Sequence, residues 1–383
     1  LGNIAGVAFA VGIGGPGAVF WMIVGGLIGM SSKFAECTLG QRYRITDEQG
    51  QVSGGPMIYL RDGLAERGLA GLGRILSVVF AVMCIGASFG GGNMFQSNQA
   101  YALVQQEVPI LGTSTGMIGF GLVLVIFVAL VIIGGIKRIG EVASILVPSM
   151  CVLYTLCGLL IILNHASEVP NALGLIVSKA FSFEAGAGGF VGILVQGFRR
   201  AAFSNEAGVG SAAIAHSAAR TDEPIREGMV ALLEPFIDTV IVCTMTALVI
   251  IVTGAWNDPD AGTGITMTAW AFATVIPWFP KLLTVVAVLF AFSTMISWSY
   301  YGERAWTFLF GGRSILAYQL CFLAFTFAGV VFQNATVVLE FGDLMILGMA
   351  FPNIAGVVLL APMIKADLDD YLARLAAGEF VRQ

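Results

Sequence analysis

Apolar residues fill runs far too long for the interior of a small soluble domain. Met117 to Ile136, Val142 to Leu163, Val230 to Val252 and Leu282 to Trp298 each extend for about 17 to 25 residues, the length of a helix crossing ~30 Å of hydrocarbon. They lack the short alternating pattern of barrel strands. Polar connections divide the chain into ten segments: 2–13, about 18–39, 75–103, 117–136 and 142–163, then 188–219 with an interruption, 228–252, 280–302, 314–333 and 343–364. This five-plus-five pattern predicts an all-α polytopic membrane protein. The first segment has the length of half a span and starts directly at Leu1-Gly2-Asn3, which predicts an N-terminally truncated chain.

Between the second and third segments, Ser53-Gly54-Gly55-Pro56 precedes Met57, Ile58, Leu60 and Leu64, with Arg61, Asp62, Glu66 and Arg67 interspersed. A proline at the first helical position and this amphipathic spacing predict a short helix over about 54–70 at the membrane surface, for packing or anchoring. Leu368, Tyr371, Leu372 and Leu375 give the tail, 365–383, the same character.

Inside apolar sequence, Asn3-Ile4-Ala5-Gly6-Val7 is echoed by Asn205-Glu206-Ala207-Gly208-Val209. Asparagine and glycine are costly in a membrane helix, where every freed backbone group needs an internal partner or a water-lined cavity. Two interruptions in corresponding halves point to a binding site near the bilayer midplane, built from broken helices. Amides at a half-helix N-terminus suit a carboxylate, and carbonyl oxygens at the opposite end suit an ammonium or a sodium ion. Close helix packing is the plainer use of the same glycines. A third copy, Asn353-Ile354-Ala355-Gly356-Val357, follows Pro352 in the tenth segment and is read as coincidence beside a proline kink.

Charge orients the segments. Arg42, Arg44, Arg61, Arg67 and Arg74 follow the second, Lys137 and Arg138 the fourth, and Arg220 and Arg226 the sixth; Arg304 and Arg313 flank the turn after the eighth, and Lys365, Arg374 and Arg382 lie in the tail. Loops 104–116, 164–187, 253–279 and 334–342 hold Lys179 alone. Up-down threading puts the arginine-rich loops on one side, predicted to be cytoplasmic together with the C-terminus.

Composition agrees: 57% hydrophobic and 11% charged residues with a mean hydropathy of +0.88 exclude an ordinary water-soluble domain. The net charge of -5 offers nucleic acid no basic surface. Cys37, Cys84, Cys151, Cys157, Cys243 and Cys321 lack C-x-x-C spacing and read as small buried apolar residues. With His165 and His216 alone, neither a metal cluster nor a Ser-His-acid set is expected, and a phosphate-binding loop is missing, so the chain does not read as an enzyme. Of the charges inside spans, Lys33 and Glu36 read as a local ion pair, and Arg199 or Arg200 as partners for Glu206 across the interruption. Glu234 and Asp238 are candidates for a proton or gating site, or for a structural role, and His216 for a satisfied polar residue.

Several stretches resemble one family. Gly2-Asn3-Ile4-Ala5-Gly6-Val7-Ala8, Gly14-Gly15-Pro16-Gly17-Ala18-Val19-Phe20-Trp21-Met22, Lys33-Phe34-Ala35-Glu36, Ser53-Gly54-Gly55-Pro56-Met57, Gly92-Asn93-Met94-Phe95-Gln96 and Phe203-Ser204-Asn205-Glu206-Ala207-Gly208-Val209-Gly210-Ser211 are similar to motifs of the alanine/glycine:cation (sodium:alanine) symporters. The resemblance implies a LeuT-type fold of two inverted five-helix repeats, 1–164 and 165–364, with the first helix only partly present. It implies symport of small neutral amino acids such as L-alanine or glycine, with Na+ as coupling ion and no cofactor, in the bacterial inner membrane. Proton coupling in the same fold is the alternative, and a cation channel a weaker one.

By position the resemblance assigns Gly2, Asn3, Gln96, Phe203, Asn205, Thr294 and Trp298 to substrate, and the hydroxyls of Ser293 and Thr294 to sodium. Each has a plainer use as well. Gln96 could bind other helices, Ser293 and Thr294 the carbonyl four residues back, Trp298 the membrane interface, and Phe203 its packing neighbours. The family usually has Thr where Leu1 stands and further sequence upstream, which implies an incomplete ion site and a fragment unable to transport alone.

Overall fold

Hydropathy and helix-stop chemistry together account for the architecture. The computed structural model describes residues 1–46, 52–182, 189–332 and 334–380, excluding the side chains of 135–137. Lys137 and Arg382 of the charge pattern therefore lie outside the described side chains. The first helix, α1 (Gly2–Gly14), is too short to span; Gly15, at φ 69°, and Pro16 end it and turn the chain into α2 (Gly17–Arg42). A two-strand hairpin, Ile45–Thr46 with Val52–Ser53, leads to α3 (Pro56–Glu66), which begins on its proline as expected. It buries Met57, Tyr59, Leu60 and Leu64 against its neighbours.

Next come α4 (Ala70–Glu107), α5 (Ser114–Ile132) and α6 (Gly135–Asn164). A short helix not read from the sequence, α7 (Val169–Ala180), follows. The sixth segment is two helices, α8 (Gly189–Asn205) and α9 (Ser211–His216), with an unwound stretch between them. Then come α10 (Pro224–Val252), a second unforeseen short helix α11 (Ile265–Ala273), α12 (Phe279–Phe310), α13 (Ile315–Val331) and α14 (Ala335–Ala376). The tail residues Leu368 to Leu375 continue α14 and form no separate surface helix. Eight of the described helices are long and apolar enough to cross a membrane. The count falls below ten because α1 is short and the sixth segment is split.

Position in the bundle follows from which faces are apolar. The most apolar stretch of α12 is 61% buried and that of α6 22%, so α12 is central and α6 peripheral. Val152, Leu156, Leu159 and Leu163 of α6 face outward, as lipid contact permits. Of the cysteines, Cys37, Cys84 and Cys243 are buried as expected, whereas Cys321 is exposed. Glycine lets the central helices touch. In α4 the run Gly90-Gly91-Gly92 lies against Phe341, Ile346 and Trp298 respectively, and Gly342 of α14 meets Gly91 backbone to backbone.

The two short helices cover the arginine-poor end. Trp21 Nε1 donates to the Ala180 carbonyl at 3.0 Å, holding α7 on α2. Gln99 Oε1 accepts from the Ile265 amide at 3.1 Å, setting α11 over the end of α4, and the Thr268 hydroxyl donates to the Ile4 carbonyl of α1 at 3.3 Å. At the other end, Arg42 pairs with Asp367, Arg374 forks onto Glu223 at 2.8 and 2.7 Å, and Arg44 donates to the Ala219 and Thr221 carbonyls. The loops after α2 and α9 and the tail thus meet at one end.

Buried charges pair across helices, which corrects both local pairings read from the sequence. Lys33 in α2, 0% exposed, meets Glu234 of α10 at 3.1 Å, while Glu36 accepts from Asn353 of α14. Arg199 (2.7 Å) and Arg200 share Asp343 of α14, not Glu206. Arg200 and Asp343 are 1% and 3% exposed, so Asp343→Asn leaves a buried guanidinium without its counter-charge. It should cost about 3–5 kcal/mol of stability. Asp369→Asn, in the exposed pair Lys365–Asp369, should cost less than about 1 kcal/mol. Melting in detergent checks this, and equal shifts for the two variants would remove Asp343 from that role.

Candidate functional site

The unwound stretch between α8 and α9 has a definite backbone signature. Glu206, Gly208 and Gly210 lie at φ 56°, 78° and 92°, the left-handed region open to glycine and strained for a glutamate. Side chains take up what the missing helix turns release. Asn205 Oδ1 accepts from the Ala207 amide at 2.9 Å, and Asn353 Nδ2 donates to the Gly208 carbonyl at 2.9 Å. Asn353 is fully buried, donates also to Glu36 Oε2 at 2.8 Å, and accepts from the Tyr59 hydroxyl. The third pentapeptide copy, read as coincidence, therefore supplies a strut of the break.

The first copy behaves differently. Gly2–Gly6 stays wound, as a wider π-type turn that runs straight into the α-helical Val7–Gly14, so α1 has no unwound segment among its described residues. Its Gly2 instead allows contact with Ser204 of α8, because a Cβ there would fall 2.7 Å from the Ser204 Cα.

Where α1, the break, α4, α12 and α14 converge there is a cavity of about 70 Å³. Its lining includes Gly2, Asn3, Gln96, Phe203, Thr294 and Trp298, six of the seven residues predicted for substrate. The seventh, Asn205, is turned away: its amide donates to Thr239 Oγ1 at 2.8 Å while its carbonyl oxygen caps the break. Ser293 is also outside the lining. Both predicted sodium hydroxyls, Ser293 and Thr294, donate to the Phe290 carbonyl, at 3.0 and 2.9 Å, as helical hydroxyls commonly do. Their oxygen lone pairs remain as acceptors.

Six further residues complete the walls: Leu1, Gly91, Ser204, Glu206, Phe290 and Ile346. Phe290 was legible, lying four residues before Thr294 and eight before Trp298 on one face of α12. Ile346 carried no signal in the sequence. Gln96 is 2% exposed, donates to the Gly91 carbonyl at 2.8 Å, and accepts from the Leu1 backbone nitrogen at 2.9 Å. Phe203 packs edge-on against Phe95 with the Arg200 guanidinium 5.0 Å from its ring centroid.

Trp298 is held from both sides. Its indole Nε1 donates to Glu206 Oε1 at 2.9 Å, and any side chain at Gly92 would collide with the ring. Glu206 also accepts from the Ser211 hydroxyl at the start of α9. The carboxylate therefore joins the cavity wall to both halves of the sixth segment.

The lining mixes polar residues, Asn3, Gln96, Ser204, Glu206 and Thr294, with apolar ones, Phe203, Phe290, Trp298 and Ile346. At about 30 Å³ per water the cavity holds roughly two waters, so an occupant is small or displaces the walls. Trp298→Ala should enlarge the cavity: binding of an alanine-sized solute weakens about tenfold, a loss of ~1.4 kcal/mol, and larger amino acids begin to compete. Competition binding on purified protein checks it, and an unchanged profile would remove Trp298 from the wall.

A family model described as the sodium:alanine symporter family matches residues 1–382. The sodium/alanine symporter AgcS of Methanococcus maripaludis is 42% identical over 96% of this chain and 80% of its own. An uncharacterized transporter of Haemophilus influenzae is 39% identical over 99% of this chain and 82% of its own. The probable sodium/glutamine symporter GlnT of Bacillus subtilis is 35% identical over 99% and 77%.

Proposed function

We propose, because the chain belongs to the sodium:alanine symporter family, that this multi-pass membrane transporter carries small neutral amino acids, alanine or glycine, coupled to sodium entry by alternating access. The observation that carries this reading is the cavity at the helix break. It brings donors and acceptors for the poles of a zwitterion into one small space with apolar side chains that can enclose a short one. Gly2, Asn3, Gln96, Phe203, Thr294 and Trp298 are its substrate contacts in this reading, and Thr294 brings a hydroxyl oxygen suited to a hard cation.

The fold we infer is LeuT type, with inverted repeats over 1–164 and 165–364 and the tail beyond. Support comes from the broken segment between α8 and α9 lying beside the Asn3-containing start of α1. The arginine clusters gathered at one end support a cytoplasmic C-terminus, and the membrane inferred is the bacterial inner membrane. Proton coupling stands as the second reading, because Glu206 lines the cavity and carries a titratable group. A channel is disfavoured: it needs a continuous polar file, whereas Phe203, Phe290, Trp298 and Ile346 line this cavity.

Uptake of radiolabelled alanine into proteoliposomes should rise severalfold when an inward sodium gradient is applied and fall to background when choline replaces sodium. Uptake that follows a proton gradient instead, or ignores both, defeats sodium symport. Thr294→Val should raise the sodium concentration for half-maximal uptake by about tenfold, the loss of one oxygen ligand. No shift would assign the hydroxyl to its bond with Phe290.

A further inference from the structure

We infer that the end of α14 forms a charged clamp, Asp367 on Arg42 and Arg374 on Glu223, which holds that end of the bundle closed and releases when the cavity opens there. The inference rests on the alternating-access reading and adds the contact that opposes one of its two openings. The helix α14 (Ala335–Ala376) has 42 residues, about 63 Å at 1.5 Å per residue and roughly twice the ~30 Å of hydrocarbon. One helix therefore carries, in order, Ile346 on the cavity wall, Asn353 on the break, and the clamp residues near its end.

The clamp joins two sides of the bundle. Arg42 ends α2, and Glu223 stands immediately before Pro224 at the start of α10. The loop between α9 and α10 is held on α2 by Gln41, which donates to the Ala219 carbonyl at 3.2 Å, and by Arg44, which donates to the Ala219 and Thr221 carbonyls. These elements form one side and the tail of α14 the other. Asp370 aims Arg374 by accepting from its Nε at 2.9 Å, and the two terminal nitrogens fork onto Glu223 at 2.8 and 2.7 Å. Phe380 adds to the contact: it stacks on Tyr371 with ring centroids 4.8 Å apart, and the guanidinium groups of Arg374 and Arg226 lie 5.1 and 5.3 Å from its own.

Between the two sides lies open space edged by charge. Both pairs line a groove of about 450 Å³, and their four side chains keep 21% to 33% of their surface exposed. Exposed pairs are weak singly and are screened by salt, so this contact can part and re-form without breaking into a packed apolar core. Farther up α14 the reverse holds, because Asn353 is fully buried between Glu36 and the Gly208 carbonyl. Pro362, between Asn353 and Asp367, removes one backbone hydrogen bond of the helix and gives the tail a place to bend while the Asn353 contacts stay fixed. The broken segment ends with α9 at His216, so it is tethered to α14 through the following loop for as long as Arg374 holds Glu223.

Thr294 lines the cavity, so Thr294→Cys in a Cys321→Ser chain, which lacks the exposed native thiol, reports opening by reaction with a membrane-impermeant maleimide. Inside-out and right-side-out vesicles carrying the full chain read each face separately. From the arginine-rich face, reached in inside-out vesicles, Arg374→Gln and Glu223→Gln should each label about threefold to fivefold faster than this parent, the range that loss of one exposed pair allows. Glu223→Arg should do the same, and adding Arg374→Glu should return the rate to within about twofold of the parent. Asp369→Asn breaks a pair within α14 alone and should leave the rate unchanged. Equal rates in the parent and both glutamine variants overturn the clamp and leave alternating access standing, as does an acceleration by Asp369→Asn equal to theirs. A reporter labelled from neither face, in the parent and in every variant, overturns alternating access itself.

Discussion

A backbone group released from a helix inside hydrocarbon must find a partner in the protein, and that requirement organises the centre of this molecule. Residues 206 to 210 leave helical geometry, and what they release is met by side chains from elsewhere: Asn205 on the Ala207 amide and Asn353 of α14 on the Gly208 carbonyl. Asn353 can hold that carbonyl only because Glu36 and Tyr59 fix its other contacts. Helices α2, α3 and α14 are therefore tied to one carbonyl oxygen. The cavity lies beside this arrangement, so the groups that make the break tolerable also set one of its walls, through Glu206 and the indole it orients.

The same low dielectric explains the charge pairings. A buried ion needs a counter-ion at close range, and the helix that provides it is decided by packing. Lys33 and Glu36 are near neighbours along α2, yet Lys33 turns to α10 and Glu36 to α14. Arg199 and Arg200 precede the break and nevertheless pair with Asp343, which hydropathy marks only as the start of the last segment. Long-range pairing of this kind joins helices distant in sequence, in keeping with a bundle whose central members touch through glycine. Where the chain leaves the bilayer the pairs become exposed and of little consequence for stability, as with Lys365 and Asp369.

What could be read in advance follows from which signals are local. Span lengths, the arginine-rich loops, Pro56 at a helix start and the Gly14-Gly15-Pro16-Gly17 turn depend on neighbouring residues, and the structure has them where expected. Six of the seven residues predicted for substrate meet in one cavity because family motifs carry positional information that hydropathy does not. Asn205 escaped for a physical reason: an asparagine at a broken helix end competes for the backbone, and here the backbone wins its carbonyl oxygen. Helices α7 and α11 are too short to register as spans, and Ile346 is one apolar residue among many in α14. Partners such as Asp343 and Asn353 become visible only when α14 is laid against α8.

The three copies of Asn-x-Ala-Gly-Val show how little a pentapeptide decides by itself. At 3–7 the chain is wound, at 205–209 it is unwound, and at 353–357 it is again helical, with Gly356 used to admit Leu60. The difference lies in what each asparagine side chain holds. Asn3 is engaged by Asp238 and Asn353 by Glu36, Tyr59 and Gly208, all away from their own backbone, so their helices stay intact. Asn205 turns its oxygen onto the amide two residues ahead, and Gly210 follows with a further positive φ that no helix accommodates. Glycine weakens all three places to a similar degree. A break forms at the copy whose asparagine competes for its own backbone and whose released carbonyl is met by an asparagine from another copy.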